Sequence, residues 1–100
     1  MFFMISEAVA NKVRKKHNIF EHEILECFEN RLGPFLEDKR EDHKTDPPTK
    51  WFISESRSGR VIKVVFIYYP DEREIVIKSA FEPNDIESKI YQKYSNERLK

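Results

Sequence analysis

Only two glycines and one cysteine occur in these 100 residues. A lone Cys27 excludes a disulfide within the chain and predicts a reducing, cytoplasmic setting. No glycine-rich phosphate loop, serine-centred elbow or Cys–His catalytic motif is present. No apolar run approaches the roughly 18–20 residues of a membrane span. The opening Met-Phe-Phe-Met-Ile lacks the basic lead and small-residue cleavage site of a signal peptide. Net charge is missing as well. Eighteen basic and eighteen acidic residues cancel, which counts against a general nucleic-acid binder.

Apolar mass is there. Hydrophobic residues make up 39% of the chain and include eight Phe, enough for one modest core and one domain. Charge is distributed unevenly. Residues 12–17 read Lys-Val-Arg-Lys-Lys-His with no acid, and Arg57, Arg60 and Lys63 follow later. A basic stripe is therefore compatible with a neutral total.

The pattern predicts an α+β domain with two N-terminal helices, three main antiparallel strands, one or two short edge strands and a C-terminal helix. Residues 2–5 suit a short strand. Ser6 is placed as an N-cap, and Ile5, Val9, Val13 and His17 recur at helical spacing. Asn18 suits a left-handed helix end. A second helix is expected over residues 20–31, with Phe20, Ile24 and Phe28 as its stripe and Gly33-Pro34 as its stop. Residues 35–50 read as a short edge strand and a stiff exposed loop. Strands are expected over 50–57, 60–69 and 74–81. Pro83 is expected to begin the last helix, with Ile86, Ile90 and Tyr94 on one side and Glu87 and Tyr91 beside them. The tail after Ser95 is expected to fray.

Two tight turns then set registers. A two-residue turn at Ser58-Gly59 pairs Ser54 with Lys63 and Trp51 with Phe66. A four-residue loop from Pro70 pairs Tyr69 with Glu74 and Val65 with Lys78. Trp51, Ile53, Ile62, Val64, Phe66, Tyr68, Ile75, Ile77 and Phe81 would then share the core face. Lys63 and Lys78 would emerge side by side from the face that the helices leave uncovered. A one-residue slip exchanges the faces of an outer strand.

Lys16-His17-Asn18-Ile19, Trp51, Gly59-Arg60-Val61 followed by Val64-Val65, then Ser79-Ala80, Glu87 and Tyr91 together resemble the BrnT family of RelE-like toxins. The resemblance spans about residues 5–91. It implies a RelE-like fold, metal-independent endoribonuclease activity on RNA, and a ribbon-helix-helix antitoxin as partner, in a homodimer or a heterotetramer with the antitoxin. No cofactor and no membrane partner are expected. The family usually has Arg after Ser-Ala, and Phe81 stands there in this chain.

Metal-independent RNA cleavage needs a base for the 2′-OH, cations for the crowded phosphate and an acid for the leaving oxygen. Lys63 and Lys78 are candidates because they interrupt apolar strands, where lysine pKa values fall readily. Their alternative is a stem covering the sheet with its amine in water. Arg60 is a candidate phosphate clamp or a solvated turn residue. Lys12, Lys15 and Lys16 form a candidate phosphate track or an ordinary wet helix face. His17 is a candidate acid–base group or a helix-end cation. Tyr91 is a candidate phosphate donor or a packing residue. His22 and His43 have no constellation, and the five-residue spacings His17–His22 and His22–Cys27 are not those of a helical metal pair. Beside the ribonuclease expectation stands a non-catalytic protein-binding module on the same fold, in which the sheet face or its edge accepts a segment.

Overall fold

The computed structural model describes residues 1–40, 42 and 44–99, and the side chains of all these except 97–99. The element order is β1 (Phe2–Met4), α1 (Glu7–His17), α2 (Glu21–Glu29), β2 (Leu36–Glu37), β3 (Thr49–Glu55), β4 (Val61–Tyr69), β5 (Glu74–Phe81) and α3 (Asp85–Leu99). The strands form one sheet in the order β1-β5-β4-β3-β2. β1 runs parallel to β5, and the other pairings are antiparallel.

Local chemistry sets the helix ends. Ser6 Oγ accepts from Val9 N–H at 3.1 Å, which satisfies a donor that the first turn of α1 leaves open. Asn18 ends α1 in the left-handed region at φ 53°, and its N–H donates to Arg14 O at 2.9 Å. Phe20 precedes α2 and has no acceptor to offer. The Glu23 carboxylate reaches back to Phe20 N–H at 3.0 Å, the second half of a capping box. At α3 both halves are present. Glu87 N–H donates to Asn84 Oδ1 at 2.8 Å, and Asn84 N–H donates to Glu87 Oε1 at 3.0 Å. Asn84 is thus the cap, and Pro83 lies outside the helix rather than beginning it.

α1 and α2 cover one face of the sheet. Val13, Ile19, Ile24 and Cys27 pack there against Phe52, Ile62, Val64, Phe66, Ile75, Ile77 and Ala80. Phe28 meets Phe52 and Phe66 edge-on at 4.7 and 5.3 Å between ring centroids. Such pairs contribute about 0.5–1.5 kcal/mol each beyond area burial. Burial pushes the Cys27 thiol up to about 12, with Glu23 and Glu26 adding to the shift. It is therefore a neutral packing group at physiological pH.

Both hairpins depart from the registers expected of tight turns. In the first, Ser56 N–H donates to Arg60 O and Gly59 N–H to Ser56 O, both at 2.9 Å. The loop is the three residues 57–59, and Gly59 takes the left-handed conformation at φ 84°. Trp51 consequently lies opposite Val65, and Ile53 opposite Lys63. This one-residue slip sends Phe52 and Ser54 to the core and puts Trp51 and Ile53 on the opposite face. The second loop keeps Tyr69 opposite Glu74, but a bulge follows between Val65 and Phe66. Lys78 becomes the extra residue on β5. Val65 faces Ser79, and Lys63 faces Phe81. Ala80 replaces Phe81 in the core.

The second face is not bare. α3 lies over its β3 side, where Tyr91 is 5.8 Å from Trp51 between ring centroids. Tyr91 Oη donates to Pro34 O at 2.7 Å. Glu87, Tyr91 and Ser95 point inward, at the i, i+4, i+8 spacing of one helix face. The stripe Ile86, Ile90 and Tyr94 faces solvent, with Ile86 70% exposed. No described helix is long and apolar enough to cross a membrane.

Candidate functional site

One end of the sheet gathers most of the chemistry-bearing side chains. There β4 begins, β5 ends, α1 finishes its last turn and α3 starts. Lys63 projects from β4 and is mostly enclosed. Its ammonium meets Glu87 Oε2 at 2.5 Å. It also lies 4.4 Å from the Trp51 ring centroid and 5.3 Å from that of Phe81. Trp51 and Phe81 reach this face through the two register changes described above, so the cation–π contacts follow from the Gly59 turn and the β5 bulge.

Glu87 is held from two sides, by the cap of α3 and by Lys63. Burial pushes its carboxyl up. The Asn84 N–H, the Lys63 ammonium and the nearby Arg40 guanidinium outweigh burial and leave it below its ordinary value. Arg40 itself grips Asp38 bidentately at 2.7 and 2.9 Å. Arg40 was not a candidate in the sequence. It lies in a segment of mixed charge, and nothing in that pattern sets it apart from its neighbours.

His17 ends α1 half-buried, and its ring centroid is 5.8 Å from that of Phe81. Phe81 thus lies near both His17 and Lys63. Lys12, Lys15 and Lys16 are exposed on α1. Arg14, Lys15 and Lys16 belong to its last turn. None of these four has a carboxylate within ion-pair distance among the described residues.

Three expected roles change with the geometry. Lys78 is exposed, but the bulge removes it from the position opposite Val65. Lys63 lies opposite Phe81, three residues further along β5, or about 10 Å at strand rise. The expected side-by-side lysine pair on an uncovered face is therefore absent. Arg60 is no open clamp. Its Nη1 donates to Asn18 O at 2.5 Å, its Nη2 to His17 O at 2.6 Å, and its Nε to Glu82 at 3.2 Å. The guanidinium caps the carbonyl end of α1 and ties it to Glu82, the residue after β5. Tyr91 is buried, with its hydroxyl on Pro34 O, which makes it a packing residue. Gly33 permits this contact, because a Cβ there would stand 2.5 Å from Tyr91 Oη.

Among the described residues no group of three His, Cys, Asp or Glu is placed to hold a metal ion. His43 lies outside the described residues. No family model matches the chain, and no curated protein matches it.

Proposed function

We propose that this chain is a toxin-type, RNA-directed protein of RelE-like architecture, with its reactive groups at the Lys63 end of the sheet. The supporting observation is that His17 and Lys63 both lie within 6 Å of the Phe81 ring centroid, in a region that also holds the last turn of α1, whose basic side chains have no carboxylate partner among the described residues. The element order, two helices and then an antiparallel meander closed by a third helix, is compatible with the fold that the BrnT resemblance implies.

In this reading the residues divide the labour of transesterification. Lys15 and Lys16 hold flanking phosphates by charge. The Lys63 ammonium has three donors and gives one to Glu87. The others stabilise the negative charge that builds on the phosphate oxygens. His17 moves protons. The 2′-oxygen loses its proton and bonds to phosphorus as the bond to the 5′-oxygen breaks, and that oxygen takes up a proton. Glu87 is a positioning residue, since one oxygen holds the α3 cap and the other holds Lys63. The resemblance adds a ribbon-helix-helix antitoxin as the partner that restrains the activity.

Expression without an antitoxin should arrest growth and shorten cellular RNA. Lys63→Ala and His17→Ala should relieve the arrest at equal protein level. Sustained growth at high wild-type expression, with intact RNA, would overturn the reading.

A second reading, a non-catalytic protein-binding module, draws on a separate observation. Arg60 and Tyr91 are fully engaged in structural bonds, and Phe81 carries no charge. A stable co-purifying partner together with intact RNA would favour it.

A further inference from the structure

The outer edge of β3 is only partly paired. Ser56 N–H bonds to Arg60 O, so the pairs in step with it, Ser54 with Ile62 and Phe52 with Val64, direct their backbone groups toward β4. Odd-numbered residues direct theirs outward. Two bonds confirm this. Asp38 N–H donates to Thr49 O at 2.8 Å, and Asn30 Nδ2 donates to Glu55 O at 2.9 Å. Between them Trp51 faces Leu36, the first residue of β2. No described strand pairs with Ile53 on that side. Its N–H and C=O, and the N–H of Glu55, point outward without a partner among the described residues.

These groups open into a groove of about 990 Å³. The α2–β2 connection forms its far wall, and the inner side of α3 closes one end. Leu32 is 98% exposed at the rim, and Val61 is 43% exposed on the near side. An apolar surface therefore flanks an unmatched stretch of strand backbone. The groove also carries charges of both signs without an ion-pair partner among the described residues, Arg31 on the far wall and Glu55 on β3. Arg57 meets Glu29 at 2.8 Å. Arg31 stacks on Phe35 at 3.9 Å and donates to Gly33 O, with no carboxylate partner among the described residues.

We propose that this groove accepts an extended segment of another protein as an added strand beside β3, with backbone bonds to Ile53 and Glu55. The occupant follows from the shape and charge. Walls on both sides admit a single chain, whereas the edge strand of a folded domain brings neighbouring strands with it. The segment carries apolar side chains toward Leu32 and Val61 and an acidic one toward Arg31. This surface lies on the outer side of β3, away from the His17–Phe81 contact, and stands whether or not RNA is cut.

The test uses the full chain and a displayed random nonapeptide library. Selected peptides should be apolar with at least one acid. They should slow exchange of the Ile53 and Glu55 amides at least tenfold. Leu32→Glu and Val61→Glu, both at exposed positions, should each weaken binding at least tenfold with an unchanged melting curve. N-methylation at every second peptide residue should abolish binding in one phase and spare it in the other, since only one set of amides faces β3. A library without binders, binders insensitive to both methylation phases, or binding unchanged in both variants would overturn the proposal. So would Ile53 and Glu55 amides already protected in the free chain. Concentration-dependent protection would assign the edge to a second copy.

Discussion

The Lys63 end of the sheet and the outer edge of β3 both border α3, and they treat polar groups in opposite ways. At the first, side-chain charges are matched one against another. Lys63 meets Glu87, and Arg60 answers two helix carbonyls and Glu82. At the second, backbone donors and acceptors are left open beside apolar side chains. Matching charge fixes the relative positions of α1, α3 and the sheet. Open backbone leaves a place for something from outside. The comparison separates the matched pairs made by Arg60 and Glu87, where mutation should be read first as lost stability, from the open edge, where it should be read as lost binding.

The largest effect should come from the matched end. Arg60→Ala leaves the His17 and Asn18 carbonyls without their charged donor and should lower unfolding free energy by about 2–3 kcal/mol in urea titration. Arg60→Lys should recover little of that, because one ammonium cannot reproduce the planar fork. Equal stability of the wild type and Arg60→Ala would break the comparison at its firmest point.

Gly33→Ala comes next, at about 1–3 kcal/mol, as the new methyl meets a buried tyrosine hydroxyl and ring edge that have little room to retreat. This residue lines the groove, yet its expected effect is on stability, read from the thermal midpoint.

Glu87→Gln should cost about 1 kcal/mol at neutral pH, as a hydrogen bond to Lys63 replaces an ion pair. The sign of its pH dependence follows from the lowered carboxyl. The Lys63–Glu87 contribution is complete above the ordinary carboxylate value of about 4.3. It is lost as pH falls through the lower folded value. Trp51 fluorescence should therefore report an acid transition lying below the ordinary carboxylate range that Glu87→Gln lacks. The smallest effect belongs to Leu32→Ser, within about 0.5 kcal/mol in urea, despite its place on the proposed binding rim.

Much of the architecture was legible because its causes are local. Ser6 and Asn18 carry their capping behaviour in their own side chains, and three runs rich in Val, Ile, Phe and Tyr read as strands. What escaped depended on where a single residue fell. Gly59 closes a three-residue loop instead of the second place of a two-residue turn, and that exchanged Trp51 for Phe52 in the core. The bulge at Lys78 has no sequence signature, because nothing about a lysine in a strand says it will be left over. Asn84-x-x-Glu87 is a readable cap signal, and it starts the helix after Asn84 rather than at Pro83. At the candidate site, Lys63 stood out because it interrupts an apolar strand, and His17 through the resemblance. The occupation of Arg60 was not, because it joins residue 60 to residues 17, 18 and 82. Pairing across such separations is a property of the assembled fold.

The parallel pairing of Phe2–Met4 with Glu74–Val76 carries a consequence for biosynthesis. A chain made from its amino end presents two phenylalanines and a methionine long before their mates have left the ribosome. During that interval the backbone donors and acceptors of the first strand lack their β5 partners, beside apolar side chains that the fold itself leaves exposed. Nascent copies crowded on one message should aggregate through this strand unless a chaperone shields it.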